Sequence, residues 1–127
     1  MNAKDIRNIE AEAGVIASVL LKPELTFHSE QLQPNHFTNP QNAYVYYAVR
    51  ELAKQNVETI DAYNVINFLN MKKGTQQVSD DVNALITIQS LQELIEDAKL
   101  IARSTPESYK VIVNAVLDAA FRRHTYE

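Results

Sequence analysis

Apolar residues recur at three- and four-residue intervals along most of the chain, the spacing of one face of an α-helix. No stretch shows the two-residue alternation of a half-buried strand. The pattern is clearest in the last third, from Ser90 to Glu127. On a first arm, Leu91, Leu94, Ile95, Ala98, Ile101 and Ala102 share a face; on a second, Tyr109, Ile112, Val113, Val116, Leu117 and Ala120 do. Between the arms lies Arg103-Ser104-Thr105-Pro106-Glu107. Ser104 and Glu107 have capping-box spacing, and Pro106 suits the first helical position, where its missing N–H has no intrahelical partner anyway. The two arms therefore read as a helical hairpin. Leu100 on the first arm and Val111, Ala115, Ala119 and Phe121 on the second lie off these stripes. A helix that is apolar on two sides has to cover both. One side is expected to pack on the other arm, and the second on the rest of the domain or on another molecule.

Upstream, caps and prolines punctuate the same helical pattern. Asn8 caps a first helix from Ile9 to about Lys22, with Ile9, Ala13, Ile16, Val19 and Leu20 inward and Glu10 and Glu12 near its positive end. Pro23 stops it and opens a short second helix to about Gln31, which offers Leu25, Phe27 and Leu32 to the core. Pro34-Asn35-His36-Phe37 is a turn anchored by Phe37. Asn39-Pro40 opens a strong helix to about Gln55, with Tyr44, Tyr47, Ala48 and Leu52 on one face, Val45 and Val49 beside it, and Asn56 as its stop. Asp61 caps a helix from Ala62 to Lys73, with Val65, Ile66, Phe68 and Leu69 inside and Gly74 beyond its end. After a polar loop, Gly74-Thr75-Gln76-Gln77, Ser79 caps a helix through Val82, Leu85, Ile86 and Ile88. Ser90 and Glu93 repeat the capping-box spacing, which predicts a break near Gln89-Ser90. The fold class is all-α: a compact bundle of about five or six helices followed by a C-terminal helical hairpin. Residues 1–89 form a globular helical subdomain and 90–127 the hairpin, expected to serve oligomerisation, together one domain.

Length and composition narrow the function. A chain of 127 residues fits one domain. Its net charge of -4 argues against a free-standing nucleic-acid-binding module, which is usually basic. Cysteine is absent, so there are no disulfides and no thiolate zinc site. The N-terminus carries no signal-peptide core. The run from Val15 to Leu21, interrupted by Ser18, is too short to span a membrane, and the expected setting is cytoplasmic.

The search for chemistry returns mainly exclusions. A phosphate-cradling loop needs several glycines in one short segment, but Gly14 and Gly74 are the only two and stand sixty positions apart (74 − 14). His28, His36 and His124 lack metal-site spacing, and no serine sits in a nucleophile elbow. No catalytic residue, cofactor or metal is therefore expected. Glu10 and Glu12 point to different faces of a helix and suit the helix dipole better than acid–base work. In Tyr44-Val45-Tyr46-Tyr47, helical spacing takes Tyr44 and Tyr47 into the core, leaving only Tyr46 as a candidate surface contact for stacking on a base. Arg122-Arg123-His124 suits the negative end of the last helix.

The order of several short segments resembles the N-terminal domain of DnaB-type replicative helicases. These segments are Ile9-Glu10-Ala11-Glu12, Leu20-Leu21, Pro23-Glu24, Pro34 and His36-Phe37, Tyr46-Tyr47 with Leu52, Ile60-Asp61, and Ala119-Ala120-Phe121-Arg122. The resemblance spans roughly residues 9–125. Departures are Lys22 and His36 in place of two family aspartates and Gln41-Asn42 in place of His-Arg. In addition, Val78 to Leu85 stands where the family has a Gly-Gly-x-x-Tyr-Leu segment.

The resemblance implies a non-catalytic domain that dimerises through the helical hairpin, three dimers forming a collar on a hexameric ring. It also implies docking of a DnaG-type primase or a helicase loader, with ATP hydrolysis and translocation in a separate RecA-like domain absent from this chain. Strong direct nucleic-acid binding and membrane contact are not implied. Stripe geometry and resemblance together name Leu94, Ile95, Ala98, Ile101, Tyr109, Ile112, Val113, Val116 and Leu117 as the candidate oligomer interface. Two rival readings are a stand-alone replication factor that binds a helicase or primase, and a helical DNA-contacting module using Arg122, Arg123 and Tyr46.

Overall fold

The computed structural model describes residues 3–57, 59–75, 77–103 and 105–126, and their side chains apart from residues 3–8, 83 and 123–126. Among the described residues the fold is all-α, with six α-helices, two 3-10 turns and no strand. Helix α1 (Ala3–Leu21) runs through the middle of the molecule. It begins upstream of Asn8, so Asn8 lies inside the helix rather than capping it. Ala11, Val15, Ile16, Val19 and Leu20 are buried, but Ile9 is exposed and Ala13 only half-buried. Ile9 shares the side of Ile16 but lies about 10 Å nearer the N-terminus, where the covering elements no longer reach.

Pro23–His28 forms a 3-10 turn, not an α-helix to Gln31. Leu25 and Leu32 go into the core as expected, whereas the tighter winding turns Phe27 out to solvent. A second 3-10 turn, Pro34–His36, is held by the Gln33 N–H donating to His36 Nδ1 at 2.9 Å. It delivers Phe37 into the core against Tyr46, with ring centroids 5.2 Å apart.

Helix α2 (Pro40–Lys54) starts where Asn39 accepts the Gln41 N–H at 2.8 Å. It stops at Asn56, whose φ of 65° places it in the left-handed region that asparagine tolerates. Helix α3 (Ala62–Lys72) is closed by a reciprocal capping box between Asp61 and Asn64, and Gly74 follows with φ of 85°. Helix α4 is a single turn (Val82–Leu85) without a side-chain cap. The Ser79 hydroxyl accepts from Tyr44 Oη instead of capping it.

The expected break at Gln89-Ser90 falls at Ile86-Thr87. Thr87 caps α5 (Ile88–Ile101) and Ser90 is its third residue, the two exchanging bonds of 3.1 and 3.0 Å. Thr87 offers the same box chemistry as Ser90 one turn earlier, while Ile86 is held extended and fully buried. Helix α6 (Pro106–Tyr126) starts beside Thr105, whose hydroxyl accepts the Ser108 N–H at 3.2 Å. The predicted cap Ser104, like Gln76 of the polar loop, lies outside the described residues.

The two arms of the hairpin do not pack on each other as expected. Both α5 and α6 lie along α1, with α2 against another side of it and α3 bridging α2 and α5. The Arg103 N–H donates to Ser18 Oγ at 2.7 Å, fixing the turn between the arms to the C-terminal half of α1. A Cβ at Gly14 would stand 3.1 Å from Ile112 Cδ1, so glycine there lets α6 approach α1 closely.

Candidate protein-interaction surface

The arrangement around α1 divides the nine residues proposed as an interface. Ala98, Tyr109, Val113, Val116 and Leu117 are buried within the monomer. As folded, they spend most of their surface inside the monomer. Leu94, Ile95 and Ile112 are half-buried against the core, and Ile101 is 48% exposed. What remains outside is the apolar surplus that lay off the stripes: Leu100 is 84% exposed, Val111 69% and Phe121 63%. Ala115 is also exposed, one turn beyond Val111 on the same flank of α6. On α5 and α6 the regular stripes thus serve mainly the monomer's core, and the residues that broke the pattern supply most of the exposed large apolar side chains of these two helices. Leu21 and Ile101 are both exposed near the end fixed by the Arg103–Ser18 bond.

A buried polar junction holds α6 to the body. Ser29 ends the first 3-10 turn, and its hydroxyl lies 2.9 Å from Tyr46 Oη and 2.8 Å from Tyr109 Oη. Tyr46 also donates to the Ser29 carbonyl at 3.2 Å. Three segments far apart in the chain meet at one hydroxyl. Burial pushes both phenols above their ordinary pKa, and for Tyr109 the adjacent Tyr46 adds to the effect. Tyr46 was the tyrosine expected at the surface, but it is fully buried and cannot stack on a base. It fills the space between α2, Ser29 and Phe37 because α2 is covered over a wider arc than one helical stripe.

Glu12 is a second residue that the sequence misassigned. It sits well inside α1, far from its positive end, and is fully buried. Its carboxylate accepts the Thr38 N–H at 3.0 and 3.1 Å, the Thr38 hydroxyl at 2.7 Å and the Asn39 N–H at 3.5 Å. A buried carboxylate needs such donors. Here they come from the loop that opens α2, so Glu12 fixes the α1–α2 geometry. No sequence signal singled out the pairing, because the donors are backbone groups 26 and 27 positions away.

Other chemistry is sparse. Among the described residues no His, Asp and Glu cluster could hold a metal, and no helix is long and apolar enough to cross a membrane. His28 is exposed, and the half-buried His36 lies 6.4 Å from the Phe121 ring, tying the second 3-10 turn to the far part of α6. Arg122 is exposed, while the side chains of Arg123 and His124 lie outside the described residues.

The family model for the DnaB-like helicase N terminal domain matches residues 4–115, which is most of the chain. The chain belongs to this family. The match to the DnaB-like domain runs from the first turn of α1 to the middle of α6, so it takes in α1, the first arm and the first half of the second. No curated protein and no solved structure matches the chain at a significant level. The all-α architecture and the family assignment agree with the resemblance read from the short segments of α1, α2 and their connecting turns.

Proposed function

We propose that this DnaB-like domain is a non-catalytic assembly and docking module of a replicative DNA helicase. In this reading the globular part, 1–89, carries the hairpin, 90–127, as the oligomerisation element. Dimers form through the outer flank of α5 and α6, three dimers build the collar of a hexamer, and the collar receives a DnaG-type primase or a helicase loader. One observation carries the reading: Leu100, Ile101, Val111 and Phe121 remain exposed on the two helices after α1 has covered their main stripes. Half-buried Leu94, Ile95 and Ile112 border the same helices. Covering a few such side chains supplies roughly 1.5–3 kcal/mol each, enough to hold a weak dimer once the cost of association is met.

Light scattering over a range of concentrations tests this on the 127-residue chain. The wild type is expected to run as a dimer or larger. Leu100→Asp combined with Val111→Asp is expected to give a monomer with an unchanged helical circular-dichroism spectrum, since both side chains lie outside the core. A wild type that stays monomeric at high concentration, or a variant that keeps the wild-type mass, overturns the assignment.

A further inference from the structure

A separate cleft lies between the 3-10 turn Pro34–His36 and α2 and encloses about 500 Å³. Its walls are of two kinds. Pro34, Pro40, Ala43 and the Tyr44 ring give apolar surface, and Gln33, Asn35 and Gln77 give amide groups. Arg50 is the only charged side chain among its described lining residues, in a chain whose net charge is -4. The guanidinium is already set in place. Its Cζ lies 5.9 Å from the centre of the Tyr46 ring, and Nη1 donates to Gln33 Oε1 at 3.1 Å. The Nε is buried without a hydrogen-bond partner; the Glu51 carboxylate stands 3.5 Å away as an ion pair. Arginine has five N–H donors in a rigid fork, so the Gln33 bond and the Glu51 pair leave Nη donors for a planar anion.

We infer that this cleft docks an acidic segment of a protein partner, an Asp or Glu carboxylate meeting Arg50 while a neighbouring apolar side chain rests on Pro34, Pro40 and Tyr44. A carboxylate fits better than a phosphate. One arginine with no second cation suits a single charge, and its fork matches the geometry of a carboxylate. The amides of Gln33, Asn35 and Gln77 can exchange hydrogen bonds with a peptide backbone. Because stacking and the Gln33 bond hold the guanidinium before the ligand arrives, little side-chain entropy remains to be lost on docking. No lining residue belongs to α5 or α6, so the inference stands apart from the proposed assembly role.

The test is selection of a random peptide library on the 127-residue chain. Retained peptides are expected to carry Asp or Glu beside an apolar residue. Changing that acid to its amide should weaken binding by about tenfold or more, the loss of one charge-assisted contact. Arg50→Gln should do the same. Arg50 also has structural contacts, so Asn35→Asp provides a second variant. It adds a carboxylate to an exposed position of the cleft without removing any bond of Arg50, and should also weaken binding by about tenfold. The inference is overturned if no peptide is retained, if retained peptides lack an acid, if Asn35→Asp binds them as well as wild type, or if short single-stranded DNA displaces them at physiological salt.

Discussion

Replacing Ser29 by Ala removes the hydroxyl on which the Tyr46 and Tyr109 hydroxyls converge at 2.9 and 2.8 Å. The cavity is small, so the cost comes from polar groups. Tyr46 keeps the Ser29 carbonyl at 3.2 Å, but Tyr109 loses its Ser29 hydroxyl partner inside the core and is left with the Tyr46 hydroxyl alone, which the Ser29 carbonyl already engages. Leaving a buried hydroxyl short of a partner costs about 1–3 kcal/mol, so Ser29→Ala should destabilise the domain by about 2 kcal/mol. Tyr109→Phe removes the other partner. Ser29 Oγ still has Tyr46 and the Thr26 carbonyl at 3.3 Å, so only the net value of one bond is lost, about 1 kcal/mol. The double variant has no Tyr109 hydroxyl left short of a partner. It should therefore cost about 2 kcal/mol instead of the additive 3, a coupling of about 1 kcal/mol. Urea unfolding followed by circular dichroism reads all four proteins, with an unchanged m-value required for comparison. Additivity within about 0.3 kcal/mol would refute the reasoning, because it would mean that the two hydroxyls do not depend on each other.

Two further outcomes follow from the buried groups. Glu12→Gln keeps one acceptor oxygen but loses the charge and part of the four-bond arrangement on Thr38 and Asn39, and should cost about 1–3 kcal/mol in the same unfolding assay; wild-type stability would show that these bonds do not hold α2 in place. Burial raises the Tyr46 and Tyr109 pKa values above 10.0, so the folded chain holds these protons more tightly than the unfolded chain does. Stability from this source is whole below about pH 10 and is lost as pH rises through the raised folded values. Urea midpoints measured against pH should fall in that range, and fall less when both residues are Phe; a midpoint independent of pH there counts against the burial argument.

The helix starts at Pro40 and Ala62 were legible because their signals are local. Asn39 and Asp61 each satisfy backbone donors within three residues, and no distant contact is needed to see it. Thr87 shows the limit of such signals: two overlapping boxes were available, and packing of Ile86 chose between them. Phe27 was misplaced because a 3-10 turn and an α-helix read alike over six residues yet face a given side chain differently. Tyr46 and Glu12 were misread for another reason. Periodicity gives one buried stripe per helix, whereas α1 and α2 are enclosed on several sides, and the donors that permit a buried carboxylate or hydroxyl lie in other elements. The candidate surface was legible in composition but not in assignment. The off-stripe Leu100, Val111 and Phe121 were visible as a surplus, while the strongest stripes belonged to α1.

The position of α1 between α5 and α6 also sets the order in which the chain can complete itself. Residues 85 positions apart are joined by the Arg103–Ser18 bond, and 80 apart by Ser29–Tyr109. During synthesis α1 therefore emerges well before α5 and α6, and until those two helices follow, Val15, Ile16 and Val19 lack part of their cover. Such distant pairing slows folding and lengthens the time that apolar surface stays open to other chains. The newborn domain is thus most prone to stick to a neighbour in the interval before α6 docks on α1.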